Sequence, residues 1–230
     1  MSHPPGREAL SAQTRGLVIC VEGPSAVGKT TLASALAREC GAVVVPELKL
    51  ADVPRIADSG QWFAEQHSAL WQVARIYAAS GSLVVLDGDP LKALWFNWVY
   101  ATDGWPAVKF IAPYYRSQLR EQALGFPDLY VILETTEADL RRRRAEDATR
   151  TRRNFEQNLR LVEPQRRYFV ALQSLDPRRV VFVDSSHPRD LVDKISLVLG
   201  QLQPSDTDGG WLLDQMIAWV SSNTPVFSST

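Results

Sequence analysis

Cysteine is scarce in this chain: Cys20 and Cys40 are the only two among 230 residues. Neither sits in a Cys-x-x-Cys or Cys/His pair, so a disulfide framework or a zinc site is not expected, and both read as reduced, partly buried thiols. Long apolar runs are missing too. No window approaches the ~20 apolar residues that a membrane helix needs. The polar stretch from Met1 to Arg15, with Pro4, Pro5 and Gly6, lacks the apolar segment of a secretory signal. The expectation is a cytoplasmic protein with no membrane partner. Nor is there an excess of one charge: 25 Lys and Arg against 26 Asp and Glu leave a net charge of -1. That removes the global reason to expect a nucleic acid as partner. Internal repeats and low-complexity tracts are absent as well.

What is present fits one sizeable domain. Apolar residues make up 45% and charged residues 22%, enough for a real core. Five short apolar runs stand out, Leu17–Val21, Ala42–Val45, Leu83–Leu86, Leu129–Leu133 and Val180–Val183. They do not alternate with polar residues, which is how strands read when helices cover both faces of a parallel sheet. Between them, Thr30–Cys40, Gln61–Ser80 and Asp190–Leu202 carry apolar residues at helical spacing, and Gly41 is placed to end the first. Strands alternating with helices predict right-handed β-α-β units and a doubly wound sheet. Pro164 lies inside a helical stretch and should kink or restart it. After Gln203, Pro-Ser-Asp-Thr-Asp-Gly-Gly reads as a linker. The chain thus divides into an N-terminal segment 1–15, a domain 16–202, and a tail 203–230. In that tail, Trp211–Val220 forms a short amphipathic helix that either docks on the domain or meets a partner, such as a second copy in a homodimer.

The most informative segment is Gly23-Pro-Ser-Ala-Val-Gly-Lys-Thr30, a P-loop. Gly23 and Gly28 permit backbone angles that let successive N–H groups turn onto phosphate oxygens. Lys29 adds a charge at the β and γ phosphates, Thr30 offers a hydroxyl to Mg²⁺, and the following helix aims its positive end at the same anion. A strand before the loop and a helix after it supply the context that the motif needs. Gly23, Ser25, Ala26, Val27, Gly28, Lys29, Thr30 and Thr31 are therefore the expected nucleotide-binding residues. No Asn-Lys-x-Asp guanine reader and no Leu-Ser-Gly-Gly-Gln signature occurs, and the chain is short for motor or clamp-loader ATPases. A small-molecule kinase fits the size.

Further landmarks follow in order. They are Pro46-Glu47 after the second run, Asp87 ending the third, Pro127-Asp128-Leu129 leading into the fourth, an arginine-rich segment, and Asp184-Ser-Ser186 ending the last. With the P-loop, they make residues from the first strand to about Leu202 resemble the P-loop nucleoside and nucleotide kinases, particularly the thymidylate-kinase-like and deoxynucleoside-kinase-like groups. The resemblance implies a five-stranded parallel sheet of order 2-3-1-4-5 between two layers of helices, with ATP and Mg²⁺ as cofactors and a small-molecule phosphoryl acceptor. It implies Glu47 as the base that takes the acceptor's proton, and Asp87 as an acid on Mg²⁺ or the acceptor; either could be the base. Asp89 could stand in for either, although Asp-Gly-Asp-Pro is also a plain turn sequence.

One departure stands out. The family usually follows the acid with an arginine that contacts the acceptor, whereas this chain has Gly88. Arg75 or Arg116 is expected to supply that charge, with the alternative that glycine opens room for a bulkier acceptor, such as an antibiotic. Seven arginines lie at Arg141–Arg144, Arg150, Arg152 and Arg153, where the family carries a lid at about 141–153. Arg144, Arg150 and Arg152 are the candidates for neutralising the migrating phosphoryl group. Such a run also suits nucleic acid, but Glu146, Asp147 and the balanced net charge speak against that. Gln66 resembles the base-reading glutamine of deoxynucleoside kinases. Most of the rings between Trp95 and Tyr115 read as core, with one or two lining the acceptor pocket. His187 reads as a loop residue beside the nucleotide base, and His67 receives no role.

Overall fold

The five apolar runs assemble, in a computed structural model that describes residues 15–47, 59–147, 155–187, 190–205 and 209–227, into a single parallel sheet. Its strands are β1 (Val18–Glu22), β2 (Val43–Val45), β3 (Val84–Leu86), β4 (Leu129–Glu134) and β5 (Val180–Asp184), in the order β2-β3-β1-β4-β5. This is the fold of the P-loop kinases. Registers are set by Val18 opposite Val84, Ile19 opposite Leu129, Val43 opposite Val84 and Tyr130 opposite Val180. Arg150, Arg152 and Arg153 lie outside the described residues, as do residues 1–14 of the N-terminal segment.

Alternate strand residues feed two separate cores, because successive side chains of a strand point to opposite faces. Val18, Cys20, Val84, Leu86, Tyr130 and Ile132 pack beneath α2 (Ser59–Ala79), α3 (Lys92–Val99), α4 (Val108–Arg120), α7 (Val162–Leu175) and α9 (Gly210–Ser222). On the other face Ile19, Val21, Val85, Val131 and Leu133 meet α1 (Lys29–Cys40), α5 (Glu137–Glu146), α6 (Phe155–Leu159) and α8 (Leu191–Leu199). The near-continuous apolar character of the strands follows from this double cover. Pro164 falls in the first turn of α7, where its missing N–H has no helical acceptor, so the proline restarts the helix. Among the described residues no helix is long and apolar enough to cross a membrane.

The tail does not stand apart from the domain. Leu212, Leu213, Met216, Ile217 and Val220 of α9 are buried against the first core, Trp98 Nε1 donates to Asn223 O at 2.7 Å, and Arg116 pairs with Asp214 at 2.7 Å. Those residues of the apolar stripe are thus taken up within the chain. Met216 is 0% exposed, so Met216→Ala should cost about 3 kcal/mol through lost burial and the cavity left behind, read as a lowered urea midpoint. Ser205, at the start of the segment read as a linker, is held as well. Asp128 accepts Nη1 and Nη2 of Arg15, the N–H of Val18 and the N–H of Ser205, each at 2.8 Å.

Candidate functional site

At the carboxyl edge of the sheet, β1 ends in Glu22 and the chain loops to α1 through three residues with positive φ, Gly23 (141°), Ala26 (71°) and Gly28 (108°). A Cβ on Gly23 would stand 2.5 Å from Leu133 O, so glycine is required there by space as well as by angle. Gly28 caps α1 without a side-chain hydrogen bond, and the first turn carries no acid. The first N–H groups of α1 are therefore left without a capping side chain, as an anion site requires. Lys29 Nζ donates back to Gly23 O at 2.8 Å and Pro24 O at 3.2 Å.

The Thr30 hydroxyl donates to Asp87 Oδ2 at 2.8 Å. Asp87 is 6% exposed, and its Oδ1 has no hydrogen-bond partner among the described residues. Burial first, then the nearby charges of Glu47 and Glu22, raise its carboxyl above the ordinary value, against the Thr30 hydrogen bond and the charge of Lys29. An unpartnered buried carboxylate oxygen beside a P-loop hydroxyl fits Mg²⁺, which binds few protein oxygens and keeps phosphate and water for the rest. No group of three or more His, Cys, Asp or Glu among the described residues forms an all-protein metal cage.

Around this pair lies a network that sequence reasoning missed. Glu22, 1% exposed, accepts from Gly23 N at 3.2 Å, Asp89 N at 2.9 Å and Gln165 Nε2 at 3.0 Å. Lys92, from the first turn of α3, bridges Glu22 at 3.4 Å and Glu47 at 2.6 Å. Burial would raise the Glu47 carboxyl, but the ammonium groups of Lys92 and Lys29 outweigh it and hold the carboxyl down at about 2. Burial would lower Lys92, and Glu22 and Glu47 push it well above the ordinary lysine value. Asp89 is wholly buried, accepting from Leu91 N, Tyr130 Oη and Trp95 Nε1. Burial and the Glu22 charge lift it to about 7. His67 is 2% exposed, with Nδ1 on Phe63 O at 2.8 Å. Burial and the Lys92 charge lower it to about 4, which suits a neutral core histidine.

Glu22, Gln165, Lys92 and Glu47 border a cleft of about 780 Å³ that runs from Glu47, Lys92 and Trp95 across the P-loop to Arg143 and Leu191, whereas Asp87, Asp89 and His67 lie behind its wall. Glu47 and the expected nucleotide-binding residues lie in its wall. The charge expected after Asp87 does not come from Arg75 or Arg116. Arg75 donates to Gln122 O at the end of α4, Arg116 is paired with Asp214 on α9, and neither borders the cleft. Gln66 is partly buried on α2 and likewise absent from the wall, and His187 is exposed outside it. The described cation on that side is Lys92. Gly88 takes φ 130°, an angle at which any other residue is strained.

In the lid segment, α5 begins at Thr136, whose hydroxyl accepts from Asp139 N. Leu140 is its buried residue, and Arg143, one turn on, shares the inward face. Arg143 donates to Val27 O at 2.7 Å, Ser185 Oγ at 3.1 Å and Ser185 O at 2.7 Å, joining the P-loop to the end of β5. Arg144, the sequence candidate, turns outward to pair with Glu156 at 3.0 Å and lie over the Phe155 ring. Of the aromatic segment, Trp98, Tyr100 and Tyr115 are core and Phe110 is 67% exposed, while Trp95 and Phe96 reach the cleft.

Comparison with known proteins agrees with this geometry. The family model described as an AAA domain matches residues 18–172. A deoxyadenosine kinase from M. mycoides superposes with a TM-score of 0.56 at 12% identity, over 80% of this chain and 99% of that one. Thymidylate kinase from Candida albicans gives 0.55 at 15% identity, over 81% and 92%. No curated protein matches the chain.

Proposed function

Because this chain belongs to the AAA-domain family of P-loop NTPases, we propose that it is a kinase moving the γ-phosphoryl group of Mg·ATP to a hydroxyl of a small molecule, with a nucleoside or nucleotide as the leading acceptor. The observation that carries this reading is the Thr30–Asp87 pair, with its spare buried oxygen beside the phosphate loop. The similar folds of a deoxyadenosine kinase and a thymidylate kinase support the acceptor class.

In this reading the N–H groups of the loop and of α1 bind the phosphates, and Lys29 leaves the Gly23 and Pro24 carbonyls for the β and γ oxygens. Thr30 and Asp87 would hold Mg²⁺, which would supply positive charge to the phosphoryl group being transferred. Arg143 steadies the nucleotide side by fixing Ser185 against Val27. Glu47 stays ionised at neutral pH and accepts a hydrogen bond from the acceptor hydroxyl. Its basicity is low, which suits a loose transition state in which the proton leaves late. Asp87, engaged with Thr30, serves the metal.

The charge around the acceptor favours one refinement. Lys92 is already matched by two carboxylates, and Arg75 and Arg116 are occupied elsewhere. This favours an acceptor without a phosphate of its own, a nucleoside or another neutral hydroxyl compound such as an antibiotic.

Incubation with Mg·ATP and separate pools of nucleosides, nucleoside monophosphates and hydroxylated antibiotics, followed by mass detection of added phosphate, tests the reading. The nucleoside pool should yield product, whereas product from antibiotics alone would move the acceptor class. ATP binding with no product in any pool would leave a non-catalytic nucleotide-binding regulator. Asp87→Asn should lower kcat by about 10²-fold or more and weaken the Mg²⁺ dependence, and Glu47→Gln should lower kcat by about 10²-fold. Turnover unchanged in Glu47→Gln would remove Glu47 from the reaction.

A further inference from the structure

Lys92 occupies a costly position. It opens α3, where a positive charge opposes the helix dipole, and its side chain is only 12% exposed. Its two partners differ in kind. Glu22 belongs to β1, is 1% exposed and is held by three further hydrogen bonds, so it is rigid. Glu47 lies two residues past the end of β2, is 38% exposed, and accepts a hydrogen bond from Lys92 Nζ at 2.6 Å. A Cβ at Gly88 would lie 3.5 Å from Glu47 Cγ and 3.9 Å from Glu22 Oε1, so glycine leaves open the gap between the two acids that Lys92 bridges.

We propose that Lys92 is a positioning residue: by bridging Glu22 and Glu47 it anchors Glu47 to the edge of the sheet, so that this carboxylate meets the acceptor hydroxyl from one fixed direction. The proposal rests on the kinase reading above and adds to it the part that aims the acceptor-side carboxylate. An unanchored glutamate at this exposure would sample several rotamers, and misplacement by an ångström is costly in a reaction that depends on alignment. The titratable and charged groups around the pair are Glu22 from β1, Lys29 from α1, His67 from α2, and Asp87 and Asp89 after β3. Of these, Lys29 and His67 also lower Glu47, but Lys92 contributes most. Without Lys92 the charge that lowers Glu47 most is gone and its carboxyl rises, so activity falls as pH drops through the new value.

The test compares wild type with Lys92→Met, Lys92→Arg and the double variant Glu22→Gln/Lys92→Met. The double variant removes a buried anion along with the cation, so that folding is not lost to an unpaired charge. In Lys92→Met, kcat should drop about 10²-fold at pH 8 while the KM for ATP stays within about twofold. The ratio of variant to wild-type kcat should fall further as pH drops toward the raised Glu47 titration of the variant, and Lys92→Arg should restore most of both losses. Independently of activity, the ¹³C carboxyl resonance of Glu47, assigned with Glu47→Gln, should titrate at least about 2 pH units higher in Lys92→Met and in the double variant than in wild type. An unmoved Glu47 titration overturns the proposal, as does a kcat loss that is the same at every pH and is shared by Lys92→Arg. If wild type phosphorylates no acceptor, the kinase reading falls, and the ¹³C titration alone decides whether Lys92 anchors Glu47.

Discussion

Lys29→Ala should abolish phosphoryl transfer, with kcat down about 10³-fold or more and ATP binding weakened in calorimetry with and without Mg²⁺. Two effects add. In the kinase reading the ammonium group is the charge that the loop itself would offer to the β and γ phosphates, and the first turn of α1 carries no other cation. The same group donates to Gly23 O and Pro24 O, so its removal also loosens a loop that holds three residues at positive φ. Lys29→Arg should rescue little, because a planar fork does not fit the place of a compact ammonium. A variant that kept a tenth of wild-type turnover would mean that the phosphates sit elsewhere.

The largest expected loss of stability lies at the other end of the sheet. Asp128→Ala should cost about 3–5 kcal/mol, measured by urea denaturation. The side chain is 2% exposed and receives both terminal nitrogens of Arg15 along with the N–H groups of Val18 and Ser205. Truncation leaves the Val18 N–H buried without an acceptor and the Arg15 guanidinium, 27% exposed, without its counter-charge. It also removes the acceptor of the Ser205 N–H. Asp128→Asn should lose about half as much, since one oxygen remains while the bidentate pairing goes. Asp128 meets the start of β1, whereas the cleft lies past its end at Glu22. The folded fraction of Asp128→Ala should therefore retain wild-type kcat, and a fall in kcat beyond the unfolded fraction would show that this anchor governs the site.

This case also explains why Pro-Asp-Leu belongs among the landmarks. At the level of sequence it reads as a lead-in to a strand. In three dimensions Asp128 joins segments 113 and 77 residues away, and no local pattern announces such contacts.

The family resemblance implied the strand order, and sequence by itself determined the parallel, doubly covered character of the sheet and the phosphate loop. Both depend on properties that a short stretch carries alone: apolar runs without alternation demand cover on both faces, and Gly23, Gly28 and Lys29 act through their own backbone angles and charge. The same resemblance pointed to Asp87 as a partner of the Thr30 site, where the two now meet. Only the tertiary structure decided which charges meet. It selected Arg143 over Arg144 through the phase of α5 against Leu140, and occupied Arg75 and Arg116 elsewhere. It also assembled Glu22, Lys92, Glu47 and Gln165 from four distant segments. The pairing of ions falls off within a few ångströms, and distances between remote side chains are set by the packing of whole elements, which no window of sequence contains.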